Sequence, residues 1–161
     1  MKKSELVIPA ILALAAIAVA QTDAQKAFNA IKNMPGTWEG KTEMGPVQVV
    51  FKNTARGSAV MSEILGQEDM ISMFHMDGPD RLLLTHYCAV GNEPRMLASV
   101  SSDAKTITFN FVDATNLAGP DAMHMQKMVL TFLDDNQHTE VWTFDDHGKH
   151  HTVVFDLRRK L

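Results

Sequence analysis

From Thr37 onward, apolar and polar residues alternate with a period of two, and turn residues interrupt the alternation about every 8 to 12 positions. Pairs such as Gly45-Pro46, Gly91-Asn92 and Gly119-Pro120 have the composition of tight turns. Connections this short join neighbouring strands in antiparallel order. The pattern is typical of an all-β sandwich or barrel and restricts the chain to that class.

Ten strands are predicted from this alternation. They run over Thr37–Met44, Val47–Asn53, Ser58–Leu65, Met70–Met76, Arg81–Cys88, Pro94–Ser101, Thr106–Asp113, Met123–Leu133, Thr139–Asp145 and His150–Arg158. A meander of ten strands has two unpaired edges unless the first strand meets the last, and closure removes both edges. We therefore predict an all-β fold, a ten-stranded antiparallel up-and-down β-barrel.

One short amphipathic helix is predicted before the strands, over residues 24–34. Ala27, Phe28, Ile31 and Met34 recur there at helical spacing, and Pro35-Gly36 ends the pattern. No linker or internal repeat divides the chain after residue 20. Because a chain of 161 residues has the length of one domain, residues 21–161 are predicted to form a single β-barrel domain.

The first twenty residues have the pattern of a secretory signal peptide. Lys2 and Lys3 precede the uncharged, mostly apolar stretch Leu6–Ala20, which closes on the small residues Ala18-Val19-Ala20. We predict cleavage after Ala20 and a periplasmic or secreted product. The junction has no cysteine that could carry a lipid, so no stable membrane anchor is expected after cleavage. A retained N-terminal anchor is the alternative.

Composition and motifs exclude several classes of function. A formal net charge of -4 argues against nucleic acid as a partner, because phosphate binding needs clustered Lys and Arg. The single cysteine cannot form an intramolecular disulfide. The chain has no G-x-S-x-G, no glycine-rich phosphate loop and no H-E-x-x-H. No catalytic residue, metal ligand or cofactor is therefore assigned, and the oligomeric state is left open.

The residues that point into the barrel carry the functional information. If the turn at residues 77–80 pairs Met76 with Arg81, then His75, His86 and Cys88 face inward together. Glu63 would need a buried partner, for which His86 is a candidate. The predicted ligand-binding residues join apolar faces to polar strand ends: Glu63, Met73, His75, Leu84, His86, Cys88, Phe109, Phe111, His124, Met128, Glu140, Trp142 and Phe155.

These residues predict a binding protein, rather than an enzyme, that holds a small apolar or amphipathic molecule in the barrel. One alternative is an enzyme, or a haem- or metal-binding barrel, that uses His86, Cys88 or His151. His86 and Cys88 place an imidazole and a thiol on one strand face, with His75 as a third donor from the paired strand. Another alternative is a filled barrel that acts as a protein-interaction module.

The segment Met34–Gly40, a helix end followed by Gly-x-Trp, resembles the start of the calycin barrels: lipocalins, fatty-acid-binding proteins and nitrobindins. In those families the Trp closes one end of the barrel, a role that the resemblance implies for Trp38. The run from Met70 through Met96 resembles an uncharacterised family of secreted bacterial lipocalin-like proteins, which brings no established activity. Nitrobindins ligate haem through a His at the start of the last strand, and His151 is the comparable residue. Its spacing to Leu157-Arg158 departs from the nitrobindin pattern.

Overall fold

The computed structural model describes residues 20–66 and 68–160. The predicted signal peptide, apart from Ala20, lies outside the described residues. One helix, α1, spans Asp23–Lys32, and a short 3-10 turn spans Ala55–Gly57. The strands are β1 (Gly36–Thr42), β2 (Gly45–Thr54), β3 (Ala59–Leu65), β4 (Met70–Met76), β5 (Leu82–Tyr87), β6 (Glu93–Val100), β7 (Thr106–Thr115), β8 (His124–Asp134), β9 (Gln137–Asp146) and β10 (Lys149–Arg159).

The ten strands form a closed antiparallel barrel in which every strand pairs with its neighbours along the chain and β1 pairs with β10. The predicted fold class is therefore confirmed. At the seam, Gly40 lies opposite Leu157. A Cβ atom at Gly40 would stand 2.1 Å from the backbone oxygen of Asp156. The seam can close this tightly only because residue 40 has no side chain.

The helix α1 covers one end of the barrel. Thr22 caps it, accepting a hydrogen bond from the backbone N–H of Gln25 at 3.2 Å, while the Gln25 side chain accepts from the Thr22 N–H at 3.0 Å. Its buried face is formed by Ala24, Ala27, Phe28 and Ile31. The helix ends two residues before the predicted boundary. Among the described residues, no helix is both long and apolar enough to span a bilayer.

Trp38 closes the barrel at the helix end, as the calycin resemblance implied. Its ring is 2% exposed, and Nε1 donates to the carbonyl of Met34 at 2.9 Å. The guanidinium of Arg159 lies over the ring, 4.2 Å from its centroid, and donates to the carbonyl of Pro35 at 2.8 Å. We call this end, with α1 above Trp38, the closed end, and the opposite end the open end.

The half of the barrel nearest the closed end is filled by side chains. Phe74 is fully buried, with its ring centroid 6.3 Å from that of Phe51 and 5.5 Å from that of Phe109. Leu82, Leu84, Met96, Leu130 and Leu157 are fully buried in the same core cluster. This half therefore has the dense packing of an ordinary protein interior and positions the open half above it.

The predicted register of β4 is wrong by one residue. Met76 pairs with Leu82 rather than Arg81, because the connecting loop has five residues, closed by a 2.8 Å hydrogen bond from the Asp77 N–H to the Arg81 carbonyl. Side chains alternate across a sheet, so the slip exchanges the two faces of the strand. Ser72 and Phe74 face inward and are buried, whereas Met73 and His75 lie on the outer face and are partly exposed.

Candidate functional site

A cavity of about 370 Å³ occupies the open half of the barrel. Its wall combines inward residues of several strands with residues of the loops around the mouth. The lining residues are Met44, Ile64, Glu68, Met70, His86, Cys88, Ala89, Val90, Met123, His124, Met125, Trp142, Phe144, Val153 and Phe155. A second hollow of about 260 Å³ adjoins it and shares Met44, Ile64, Glu68, Met70 and Phe155. A concave, mostly apolar wall with few polar groups is typical of small-molecule sites.

His86 is the most deeply buried polar residue of this wall. It lies on β5, opposite Ser72 of β4, and its Nδ1 is 2.9 Å from the Ser72 hydroxyl. The imidazole also packs against Trp142, with ring centroids 5.0 Å apart. Its other nitrogen, Nε2, is buried and has no hydrogen-bond partner among residues 20–66 and 68–160. A buried polar atom of this kind costs free energy unless something binds to it.

Burial lowers the pKa of His86 from its ordinary value of 6.5 to about 4, because the cationic form would lose its water. His86 is therefore neutral at physiological pH. Between these two values the unfolded chain binds a proton at this residue and the folded chain does not. The stability that His86 provides is complete above pH 6.5 and is lost as the pH falls through about 4.

We expect this difference to cost the wild-type protein about 3 kcal/mol of unfolding free energy between neutral pH and pH 3. In His86→Phe the same loss should be absent, so the two stability curves should converge on acidification. Urea unfolding measured at intervals between neutral pH and pH 3 tests this. Parallel curves for the two proteins would show that His86 is not desolvated in the folded state.

Cys88 lines the cavity two residues after His86 and is partly buried. Burial raises the pKa of its thiol, and the carboxylate of Glu68 raises it further. The thiol is therefore protonated at neutral pH, whereas nucleophilic cysteines need an environment that favours the thiolate. With its thiol protonated, Cys88 acts as a small apolar residue of the cavity wall.

His124, also in the cavity wall, has both ring nitrogens engaged. Its Nδ1 donates to the carbonyl of Ala122 at 2.8 Å, and its Nε2 lies 3.0 Å from the side-chain oxygen of Gln126. Phe111 packs against the imidazole with ring centroids 4.4 Å apart. These contacts hold His124 in place as a structural part of the mouth and leave His86 as the wall imidazole with an unpartnered nitrogen.

A buried polar row on β9 separates the cavity from the filled half. Glu140, which is fully buried, accepts hydrogen bonds from Trp142 Nε1 at 2.9 Å and from His138 Nε2 at 3.2 Å. Trp142 lines the cavity, but Glu140 does not. The Glu140 carboxylate therefore holds the indole that forms the cavity floor, which is a positioning role.

Eight of the predicted site residues do not line the cavity. Three of these eight, Glu63, Met73 and His75, lie on the outer face of the barrel. Glu63 lies on the outer face of β3 and is partly exposed, while Ser62 and Ile64 on either side of it point inward. Met73 and His75 lie on the outer face of β4 because Met76 pairs with Leu82 and not with Arg81. The predicted pairing of Glu63 with His86 is therefore wrong, and His75 cannot join His86 and Cys88 as a third metal donor.

The other predicted residues are divided between the two halves of the barrel. His86, Cys88, His124, Trp142 and Phe155 line the cavity. Leu84, Phe109 and Met128 are fully buried in the core cluster, outside the cavity lining. His151 lies on β10 between Val153 and the turn that joins β9 to β10. It is exposed and stacks on Phe144, with ring centroids 5.5 Å apart. Within residues 20–66 and 68–160, no three His, Cys, Asp or Glu side chains are grouped closely enough to hold a metal ion.

The sequence reasoning missed the methionines of the mouth and the serine beneath them. Met44, Met123 and Met125 line the cavity, and Ser72 is His86's partner. Apolar residues occupy both faces of the segment Met70–Met76, so alternation alone could not choose the inward one. If the loop between β4 and β5 had been predicted to have five residues, Ser72 would have been placed on the inner face.

Comparison with known proteins supports the barrel at the level of fold. No protein-family model matches the sequence, and no curated protein sequence is significantly similar to it. Among solved structures, the chain is similar to the crystal structure of Rv2717c from M. tuberculosis, with a TM-score of 0.59 and 13% identity. The match covers 84% of this chain and 98% of that one. At this identity the similarity shows the fold alone.

Proposed function

We propose that this protein binds a small apolar or amphipathic molecule in the cavity at the open end of the barrel. The observation that carries the proposal is the cavity itself: about 370 Å³ of space, lined mostly by apolar side chains, in a barrel whose other half is densely packed. Cavities of this size and composition fall in the range of small-molecule sites. The signal-peptide pattern of residues 1–20 supports binding in the periplasm or outside the cell.

The rim of the cavity supports access by an apolar molecule. Met44 is 72% exposed and Val90 is 50% exposed, and both line the mouth. An apolar molecule is driven from water towards apolar surface, and exposed apolar side chains at the edge of a pocket offer it such surface before it enters. Methionine adds adaptability, since its flexible thioether side chain packs against varied shapes.

The proposed function is tested by a substitution that places a larger side chain in the cavity. Val153 points into the cavity from β10, so Val153→Trp should occupy the space that a ligand needs and lower affinity for a neutral apolar dye at least tenfold. N-phenyl-1-naphthylamine is a suitable dye because its fluorescence rises in apolar sites. Titration of wild-type and variant proteins with the dye, excited outside the tryptophan band, gives both affinities.

The matched control is the next residue along the strand. Val154 faces outward and is 49% exposed, so Val154→Trp adds the same side chain outside the barrel and should leave dye affinity within about twofold of wild type. Equal losses in the two variants, or no dye binding by the folded wild-type protein, would overturn the proposed function. Far-ultraviolet circular dichroism verifies that all three proteins are folded.

A further inference from the structure

The chemical character of the cavity occupant depends on the one buried side-chain nitrogen or oxygen in the described part of the wall that has no hydrogen-bond partner. His86 is fully buried, lines the cavity and has Nε2 without a hydrogen-bond partner. Its Nδ1 is occupied by Ser72, so Nε2 is the ring atom left for another molecule.

The partner on Nδ1 decides the tautomer. Among the described residues, His86 Nδ1 is the hydrogen-bond partner found for the Ser72 hydroxyl. If Ser72 donates its hydrogen to Nδ1, the ring proton lies on Nε2, and one buried group is left unpaired. If Nδ1 donated instead, both the serine hydrogen and the Nε2 lone pair would be unpaired. Because each unpaired buried group is costly, the first arrangement is favoured, and Nε2–H is a donor.

The charges of the wall select against an anion. In the described part of the cavity lining, Glu68 is a charged residue and no lysine or arginine is present. A carboxylate bound here would lose its water without gaining a cationic partner, and it would be repelled by Glu68 at the mouth. His86 itself is neutral because burial lowers its pKa.

We propose that the cavity selects a neutral apolar molecule with one hydrogen-bond-accepting oxygen, such as a ketone or an ester, which receives the Nε2–H of His86. This inference rests on the proposed binding function and adds the class of ligand to it. At about 30 Å³ for each water-sized group, the cavity holds about a dozen such groups. A chain of eleven carbons with one carbonyl oxygen matches that size.

The test compares three molecules of equal chain length by displacement of N-phenyl-1-naphthylamine: methyl nonyl ketone, undecane and undecanoate. The ketone should bind about tenfold more tightly than undecane, because it satisfies the buried donor. Undecanoate should bind more weakly than the ketone at neutral pH. Equal affinity for ketone and undecane, or tightest binding of undecanoate, would overturn the inference while leaving the proposed function standing.

Variants separate the hydrogen bond from the shape of the cavity. His86→Phe should abolish the preference, so that the ketone and undecane bind with equal affinity, whereas Ser72→Ala should reduce the preference without removing it. Nitrogen-15 NMR of the wild-type imidazole provides a readout that needs no variant: the Nε2–H tautomer is expected, and the Nδ1–H tautomer would overturn the inference. If neither the dye nor any of the three molecules binds, the proposed function itself fails.

Discussion

Replacing Phe74 with alanine should lower the free energy of unfolding by about 3 to 5 kcal/mol. The ring is fully buried between Phe51 and Phe109 in the filled half of the barrel, so its removal leaves a cavity as well as losing buried apolar surface. The neighbouring strands are paired on both sides of β4 and cannot collapse into that space. Urea unfolding followed by intrinsic fluorescence measures the change.

Met73→Ala is the matched control on the same strand. Met73 is adjacent in sequence but lies on the outer face, partly exposed, so its loss should cost less than about 1 kcal/mol. The pair therefore tests the register of β4 directly. A larger loss at Met73 than at Phe74 would mean that β4 presents the opposite face to the interior, and Ser72 would then no longer be in a position to hold His86.

Replacing Glu140 with alanine should lower the free energy of unfolding by about 2 to 6 kcal/mol, because each of two buried donors left without an acceptor costs about 1 to 3 kcal/mol. The carboxylate accepts hydrogen bonds from Trp142 and His138 in a site with no exposure to solvent. Its loss leaves both donors buried without an acceptor. Because Trp142 forms the cavity floor, affinity for the apolar dye should fall in the same variant.

Two variants define the cause of that loss. Glu140→Gln retains a side-chain oxygen that can accept from Trp142 Nε1, so it should be less destabilising than Glu140→Ala. Glu63→Ala removes a glutamate from the outer face of β3 and should cost less than about 1 kcal/mol. If Glu140→Ala were as mild as Glu63→Ala, the buried row on β9 would not be a structural element.

The fold was predictable because its determinants are local. Turn residues such as Gly91-Asn92 set the strand boundaries, and the switch from helical to alternating spacing after Pro35 separates α1 from the barrel. Closure followed from the need to pair the edges of β1 and β10. The closing role of Trp38 came from the calycin resemblance, and the contact with Arg159 explains it physically.

The candidate site was predictable only in part. His86 and Trp142 lie on β5 and β9, and Cys88 directly follows β5. Alternation correctly placed all three on the side that lines the cavity. His75 and Met73 were misplaced because β4 is apolar on both faces and one extra loop residue reverses it. Loop length is not encoded in the alternation itself.

The sequence by itself determined the class of fold, the number of strands and their order. The alternating period and the turn residues act between residues that are near in the chain. The first and last strands pair because each would otherwise leave an unpaired edge. Only the tertiary structure decided which half of the interior is hollow. That division depends on how large side chains from distant strands, such as Phe51, Phe74 and Phe109, meet beneath α1 and leave the open end unfilled. Packing among residues far apart in the chain has no local pattern from which it could be predicted.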